Sequence, residues 1–237
     1  MIELSDLTVR FGGVVALDHV TAQFTAPING IIGPNGAGKT TTMNVISGFI
    51  ASSGKITFKG EDISARSAHA RTRWGLRRSF QREQIADDLS VRDNLQVILD
   101  TLPGSAAAKR ADLDRAVALV GLDARADELA GQLNTYERRL TDIARCVVGS
   151  PKVVMLDEPC GGLSREETQR LGDLMVKIPE VTGAITLVID HDVDLIQRIC
   201  VDTLVLDFGK RIAFGPTAAV LQDPKVKSAY LGIEETV

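Results

Sequence analysis

A glycine-rich run that ends in a lysine and threonines holds the first residues with an evident chemistry. The run consists of Gly33, Pro34, Asn35, Gly36, Ala37, Gly38, Lys39, Thr40 and Thr41. It fits the pattern Gly-x-x-x-x-Gly-Lys-Ser/Thr, in which backbone N–H groups of a tight turn and a helix N-terminus surround phosphate oxygens. Lys39 is expected to reach the β- and γ-phosphates of a nucleotide, and the Thr40 hydroxyl to ligate Mg²⁺. The run predicts a nucleotide-binding loop, here called the phosphate loop.

Two adjacent carboxylates follow a continuously apolar run later in the chain. Asp157 and Glu158 come directly after Val153–Leu156. Placing two carboxylates at the end of a buried strand is unfavourable unless they are paired or used. Asp157 is positioned to hold Mg²⁺ through water, and Glu158 to polarise an attacking water molecule. The alternative is an ordinary turn that ends a strand.

Two single polar residues complete the set. Gln81 follows Arg77–Phe80, and His191 follows a strand that ends near Asp190. Alone, a glutamine or a histidine is usually a solvated or structural residue. Their order relative to the phosphate loop and the carboxylate pair favours one shared nucleotide site.

The hydrophobic pattern predicts the elements that position these residues. Ile31 and Ile32 end a strand before the phosphate loop, and Thr40–Phe49 has helical periodicity after it. Alternating residues near the N-terminus and over Gly54–Gly60 predict additional antiparallel strands. Residues from about 64 to 150 are predicted to be mostly helical, and a strand–helix–strand pattern follows. The fold class is therefore α/β with a helical insertion.

Composition limits the classes of function. The chain has 237 residues, a 44% hydrophobic fraction and a net charge of −4, so nothing favours nucleic-acid binding on electrostatic grounds. The N-terminus lacks the basic and apolar segments of a signal peptide, and no apolar run approaches the ~18 residues of a membrane span. Widely spaced Cys146, Cys160 and Cys200 predict reduced thiols in the cytosol. Any membrane association is expected to come through a partner.

The motifs in this order resemble those of the ATP-binding cassette ATPases, the nucleotide-binding subunits of ABC transporters, over essentially the whole chain. The resemblance implies one domain over residues 1–237 with ATP and Mg²⁺ as cofactors. Residues 1–81 and 151–237 are expected to form the P-loop ABC-type ATP-binding core with an antiparallel β subdomain. Residues from about 82 to 150 are expected to form a helical signature subdomain.

The same resemblance implies roles for individual residues. The catalytic residues are expected to be Glu158, His191 and Lys39. The metal site is expected to comprise Thr40, Gln81 and Asp157. Phe11 matches the aromatic residue that stacks on adenine, although a phenylalanine at a strand end is often a core residue.

Finer features resemble one branch of the family. Phe11–Leu17, Gly33–Thr42, Glu158–Leu163 and Tyr230–Gly232 are similar to the ATPases of branched-chain amino-acid importers. This implies a subunit on the inner face of the cell membrane that powers import of such amino acids or similar small solutes. Its expected partners are permease subunits, a second ATPase subunit and, indirectly, a solute-binding protein.

Other functions stay open. The lipopolysaccharide-export ATPase shares much of the pattern and is the first alternative, and a soluble ABC ATPase outside transport is the second. The single cassette and the acidic balance disfavour the second alternative. A P-loop kinase or GTPase does not account for Gln81, the carboxylate pair and His191 together.

The chain departs from the family at its signature. The family sequence Leu-Ser-Gly-Gly-Gln is replaced here by Leu133, Asn134, Thr135, Tyr136 and Glu137, a stretch called the signature run below. Threonine and tyrosine side chains obstruct the close approach of backbone to phosphate that glycines permit, and a carboxylate repels the anion. Ser164 also stands near the place of a family aspartate.

Two assemblies are compatible with this departure. The chain could pair with a different ATPase that has an intact signature, or it could form a homodimer in which both sites are impaired. We favour the heterodimer, because the catalytic half of this chain would otherwise serve no hydrolysis.

Overall fold

The computed structural model describes residues 1–231, and Gly232 of the run Tyr230–Gly232 lies outside them. The strands are β1 (Ile2–Phe11), β2 (Val14–Phe24), β3 (Ile28–Ile32), β4 (Ser53–Phe58), β5 (Glu61–Asp62), β6 (Leu76–Arg78), β7 (Val153–Asp157), β8 (Ile185–Ile189), β9 (Asp202–Asp207) and β10 (Lys210–Pro216). The helices are α1 (Lys39–Ser47), α2 (Ala68–Trp74), α3 (Val91–Asp100), α4 (Ala106–Val120), α5 (Thr135–Val147), α6 (Arg165–Thr182), α7 (Val193–Ile199), α8 (Thr217–Val220) and α9 (Pro224–Leu231).

The chain divides into two compact units. The first comprises residues 1–72 and the segment from Leu187 onward, and the second comprises Arg73–Thr186. Strand β8 is the element within which the chain passes from the second unit to the first. The fold is α/β, as the sequence predicts.

An antiparallel sheet with the order β2-β1-β4-β5 lies in the first unit. Its register pairs Ile2 with Phe24 and Leu4 with Ala22, and these four side chains are buried. The alternating pattern places one row of residues on the covered face of the sheet because successive side chains point to opposite faces. The predicted additional antiparallel strands are confirmed.

The rest of the first unit is built on strands in the order β10-β9-β3-β8. Strands β3 and β9 are parallel, with Ile31 opposite Leu204, and every residue of β3 is buried. Such complete burial is expected because both faces of a parallel sheet are covered, and the one polar side chain of β3, Asn29, donates to the Ala26 carbonyl at 2.8 Å. Strand β10 returns antiparallel to β9 after the turn at Phe208 and Gly209.

The second unit contains strands in the order β8-β7-β6 together with helices α3 to α6. Helix α5 packs against α3 and α4, which bury their apolar rows around Leu95 and Val117. Each fully buried aliphatic side chain contributes about 1.5–3 kcal/mol. Helix α4 ends at Gly121, which adopts the left-handed conformation that glycine takes without strain at helix C-termini.

Strand β6 is a short strand within the stretch from about residue 64 to 150 that the sequence predicts to be mostly helical. It runs parallel to β7, with Leu76 opposite Val153 and Arg78 opposite Met155. A three-residue strand that contains two arginines has no hydrophobic alternation of its own, so only the pairing with β7 defines it. Within residues 1–231, no helix combines the length and apolarity needed to cross a membrane.

Candidate functional site

The phosphate loop joins β3 to α1, which is the strand–turn–helix setting that its pattern requires. Helix α1 begins at Lys39 and buries Met43 and Ile46, the two residues that its periodicity placed on one face. Thr40 is exposed in the first turn of the helix, and Thr41 is partly buried. The turn between Pro34 and Ala37 is closed by a hydrogen bond of 3.2 Å from the Ala37 N–H to the Pro34 carbonyl.

Glycine is required at two positions of this loop. Gly33 has a φ of 153°, and a Cβ there would lie 2.1 Å from the Leu206 carbonyl oxygen. Gly38 has a φ of 105°, and a Cβ there would lie 2.9 Å from the Ala16 carbonyl oxygen. Both contacts are shorter than real atoms tolerate, so the first and last glycines let the loop pass close to neighbouring strands.

The turn between β9 and β10 supports the loop from one side. The Gly209 N–H donates to the Ala37 carbonyl at 3.0 Å, and the Asp18 N–H donates to the Gly209 carbonyl at 2.8 Å. The turn therefore bridges the phosphate loop and β2. This non-local support has no signal in the local sequence.

Lys39 lies in the interior of the loop with 7% of its surface exposed. Its Nζ donates to the Gly33 carbonyl at 2.7 Å and to the Pro34 carbonyl at 3.0 Å. A buried ammonium group is costly without partners, and these carbonyls supply them. The ammonium group is thus held by the backbone of the loop on which the sequence predicts that phosphates bind.

The N-terminus of α1 differs from those of several other helices. Among the residues that the structure describes, no side chain caps it, and its first turn carries no acidic residue. Helices α3, α4, α6 and α7 are capped by Ser90, Ser105, Ser164 and Asp192. The first amide groups of a helix bear partial positive charge, so an end without a side-chain cap is suited to binding an anion.

Phe11 is the last residue of β1, and 51% of its surface is exposed. Val14, across the turn that follows it, is 66% exposed. Side chains this exposed do not belong to the hydrophobic core. The open face of the Phe11 ring is instead accessible for stacking by another flat ring. The alternative that Phe11 is a core residue is therefore wrong.

In the second unit, Asp157 ends β7 and is 2% exposed. Its Oδ2 accepts a hydrogen bond from the Arg78 guanidinium at 2.7 Å, and its backbone N–H donates to the Ser79 hydroxyl at 3.2 Å. Its Oδ1 is buried and has no hydrogen-bond partner in the described chain. The sequence prediction of Asp157 as a site residue did not include Arg78, for which the only signal was a charged pair before Gln81.

Glu158 follows with a φ of 50°, a left-handed conformation that is rare for residues other than glycine. Its carbonyl accepts the Gly161 N–H at 3.2 Å in the turn that leads to α6. A strained backbone of this kind costs of order 1–3 kcal/mol and is concentrated at functional sites.

Gln81 is exposed, and arginine side chains of α5 hold its loop, mainly by donating to backbone carbonyls of the loop. Arg139 donates to the Phe80 carbonyl at 3.4 Å and to the Gln81 carbonyl at 3.5 Å, and it pairs with Glu83 at 3.2 Å. Arg145 donates to the Gln84 carbonyl. Residues 80–84, here called the Gln81 loop, therefore rest on the helix that follows the signature run.

Asp142 lies between these two arginines on the same face of α5. It is 2% exposed and pairs with Arg145 at 3.4 Å. Burial raises the pKa of Asp142 to about 6, although Arg145 and Arg139 act in the opposite direction. Sequence reasoning missed this cluster, whose only signal was three charged residues spaced three apart on a helix.

His191 is an exposed residue of the first unit, between the end of β8 and α7. Its neighbours are ordered: the Asp192 N–H donates to Asp190 Oδ1 at 3.0 Å, and Asp192 caps α7 by accepting from the Leu195 N–H at 3.0 Å. The phosphate loop, Phe11 and His191 belong to the first unit, whereas Gln81, Asp157, Glu158 and the signature run belong to the second.

The signature run opens α5, as predicted, but two of the amides at this helix end are occupied by side chains of the run itself. Asn134 Oδ1 accepts the Glu137 N–H at 2.9 Å, and Glu137 Oε2 accepts the Asn134 N–H at 3.0 Å. Glu137 Oε1 pairs with Arg125 at 2.6 Å. This reciprocal arrangement is a capping box, and it satisfies two of the four backbone donors that a helix N-terminus presents.

Known proteins are similar to this chain in sequence, and solved structures are similar to it in fold. Residues 23–161 match the ABC transporter family. The chain is 32% identical to the high-affinity branched-chain amino acid transport ATP-binding protein BraF of Pseudomonas aeruginosa, over 98% of each protein. It is 33% identical to the lipopolysaccharide export system ATP-binding protein LptB of Acidithiobacillus ferridurans, over 92% of this chain and 91% of that protein.

A solved structure of an ATP-binding cassette of an ABC transporter matches this fold with a TM-score of 0.85 and 26% identity. The match covers 97% of this chain and 98% of that chain. Two observations indicate the same family. One is the sequence identity above 30% over nearly the full length, and the other is the strand–loop–helix setting of the phosphate loop. The chain therefore belongs to the ABC transporter family, as one of its ATP-binding cassette ATPases.

Proposed function

We propose that the chain is the ATP-hydrolysing subunit of an importer for branched-chain amino acids or similar small solutes. The observation that carries the proposal is the phosphate loop. Its turn requires glycine at two positions, Lys39 is buried in it, and no side chain of the described residues caps the α1 N-terminus that follows. The solute class rests on the similarity to BraF over 98% of the chain. The division into a core of residues 1–81 and 151–237 and a helical subdomain of about 82–150 is part of the proposal.

The nucleotide is expected to lie on the phosphate loop with its base on Phe11. The amides at the start of α1 bind the phosphate oxygens, and Lys39 exchanges its carbonyl partners for the β- and γ-phosphates. Stacking on the exposed Phe11 ring contributes about 1–3 kcal/mol for one base. Gly33, Gly36 and Gly38 keep the backbone close to the ligand.

The oxygen atoms that the chain offers to a divalent cation suit Mg²⁺, which prefers hydroxyl, carboxylate and water ligands. Asp157 Oδ1 is buried with no partner in the described chain, which fits a carboxylate awaiting a metal-bound water. Thr40, Gln81 and Asp157 would hold the ion, which would offset the charge of the phosphates.

Glu158 is proposed to orient and polarise the attacking water. Its left-handed backbone fixes the direction in which the side chain leaves the strand end. His191 is proposed to contact the γ-phosphate side of the site, and Lys39 to stabilise charge that develops on the leaving group. A positioned base of this kind contributes about 10²–10⁴ to the rate.

The proposed partners are permease subunits in a membrane, with a solute-binding protein acting indirectly, so that the chain sits peripherally on the inner face. A second ATPase subunit with an intact signature is proposed to complete the nucleotide site. The capping box of Asn134 and Glu137 supports this pairing, because it occupies two amides of the helix end and places a carboxylate there, which repels an anion. Tyr136 adds a bulky side chain where the family has glycine.

The test is ATP hydrolysis by the purified chain, measured against its own concentration and again with a co-purified second ATPase. Glu158→Gln is the inactive control. The proposal expects little activity from the chain alone and restored activity in the mixed assembly. Activity of the chain alone that rises steeply with concentration and is lost in the control contradicts the heteromeric assembly.

An exporter ATPase of the lipopolysaccharide type is the second candidate, because similarity to LptB extends over 92% of the chain. Such a subunit is expected to form a homodimer. Co-purification with permeases of the amino-acid importer type, and not with those of an exporter, separates the two candidates.

A further inference from the structure

Arg78 and Asp157 form an ion pair that the proposed mechanism does not use. Arg78 Nη2 lies 2.7 Å from Asp157 Oδ2, and the two side chains are 5% and 3% exposed. The Arg78 guanidinium also lies over the Phe80 ring, 4.9 Å from its centroid. A cation is therefore buried against the carboxylate that is proposed to serve Mg²⁺.

The pairing of β6 with β7 creates this contact. Arg78 is the last residue of β6 and stands opposite Met155 in the parallel register. The next residue, Ser79, donates its N–H to the Met155 carbonyl at 2.9 Å and accepts the Asp157 N–H at 3.2 Å. Asp157 is thus held through its backbone independently of Arg78, and Arg78 acts on its carboxylate group.

A buried carboxylate is unfavourable without a counter-charge, and Arg78 supplies one before any metal arrives. One carboxylate oxygen then accepts from arginine, while Oδ1 has no hydrogen-bond partner in the described chain. The positive charge of Arg78 also repels a divalent cation that binds at Oδ1 of the same carboxylate, because two charges inside a protein are only weakly screened by solvent and salt.

We infer that Arg78 is a positioning residue that acts through Asp157 and limits how much Mg²⁺ strengthens nucleotide binding. The inference rests on the proposed function and names an additional determinant of that site. Because Asp157 keeps its backbone contacts, removal of the Arg78 charge increases the metal-dependent gain in affinity instead of abolishing it. A lysine in the same place retains most of the repulsion.

The experiment measures the dissociation constant of a fluorescent ATP analogue in EDTA and in Mg²⁺, and takes the ratio of the two as the metal gain. Arg78→Met and Arg78→Gln are expected to raise this ratio about tenfold above that of the unmodified chain. Arg78→Lys is expected to stay within about threefold of it. Arg77→Met removes a neighbouring buried arginine from the same strand, whose side chain points to the other face, and is expected to leave the ratio unchanged.

A double-mutant cycle separates this role from a merely structural one. In the Asp157→Asn background the metal gain is expected to be smaller than in the unmodified chain, because only Thr40 and Gln81 would remain to hold the ion, and to be the same with or without Arg78→Met. Melting temperature in EDTA without nucleotide is expected to fall for Arg78→Met, and by less when Asp157→Asn is also present, because the double variant buries no unpaired charge. If Arg78→Met alone does not fold, the double variant of Arg78→Met with Asp157→Asn is the folded protein whose metal gain is compared with that of Asp157→Asn.

An unchanged metal gain in Arg78→Gln and Arg78→Met overturns the inference, and so does an Arg78→Met effect that persists with Asp157→Asn. Failure of the proposed function is distinguishable, because the unmodified chain would then bind no ATP analogue in either buffer. Circular dichroism of every variant accompanies the titrations.

Discussion

Glu137 and Asn134 close the N-terminus of α5 on each other. The Glu137 carboxylate accepts the Asn134 N–H at 3.0 Å, and the Asn134 side chain accepts the Glu137 N–H at 2.9 Å. Arg125 holds the second oxygen of the same carboxylate. In the phosphate loop, by contrast, glycine stands at the helix entrance without a side-chain cap in the described chain. The chain thus has one helix N-terminus with no side-chain cap among the described residues, and another at which two amides are occupied by its own side chains.

Restoring the family signature tests whether the bulk and charge at this helix end limit activity. The variant Asn134→Ser, Thr135→Gly, Tyr136→Gly, Glu137→Gln keeps the serine and glutamine spacing of a capping box, but it removes the two side chains that obstruct the helix end and the carboxylate that repels an anion. We expect ATP hydrolysis by the chain alone to rise at least tenfold and to depend steeply on protein concentration.

The same changes should weaken the helix, because each glycine costs up to about 1 kcal/mol relative to alanine. Urea unfolding of the variant controls for this loss, and adding Glu158→Gln controls for contaminating ATPases. Equal activity of the restored and unmodified chains, both folded, contradicts the prediction.

Asp142 should make stability depend on pH in a defined window. The pKa of Asp142 is raised by burial from 3.8 to about 6, so the folded state binds more protons than the unfolded state between these values. The free energy of unfolding therefore decreases as pH rises through this window. The Asp142→Asn variant lacks this titration and should gain stability relative to the unmodified chain by up to about 3 kcal/mol from pH 4 to pH 7.

Urea unfolding of both proteins at several pH values isolates the Asp142 contribution as their difference. A difference that stays constant from pH 4 to pH 7 is incompatible with the assigned cause.

Gly33→Ala should be far more damaging than Gly36→Ala. A Cβ at Gly33 would lie 2.1 Å from the Leu206 carbonyl oxygen, whereas one at Gly36 meets nothing within 4 Å. We expect Gly33→Ala to lose more than 3 kcal/mol of stability or to fail to fold, because the obstructing atom is backbone. Gly36→Ala should lose about 1 kcal/mol, the cost of a left-handed alanine. Thermal unfolding of the two variants side by side measures the contrast.

Phe11→Ala should weaken nucleotide binding with little effect on folding. The ring is 51% exposed, so its removal sacrifices little packing, while loss of base stacking costs about 1–3 kcal/mol, or roughly 5- to 150-fold in affinity. Phe11→Trp should retain binding. Phe49→Ala, at a similarly exposed phenylalanine, is the matched control, and ATP titration calorimetry is the measurement. Unchanged affinity in Phe11→Ala removes Phe11 from the proposed site.

The sequence by itself determined the local features of this protein. The glycine pattern defined the phosphate loop, and the apolar run before Asp157 defined a buried strand. Ser164 with Glu167 identified the capping box of α6. These features depend on residues a few positions apart, where backbone conformation and side-chain periodicity act directly.

Only the tertiary structure decided the contacts between distant segments. Arg78 contacts Asp157 because β6 pairs with β7. The three residues Leu76–Arg78 carry no hydrophobic pattern that would predict this pairing. The Gln81 loop rests on Arg139 and Arg145 for the same reason: the partners come together only after α5 has packed. Such contacts follow from the burial of whole elements, and a buried charge then takes as partner whichever group the packing brings near it.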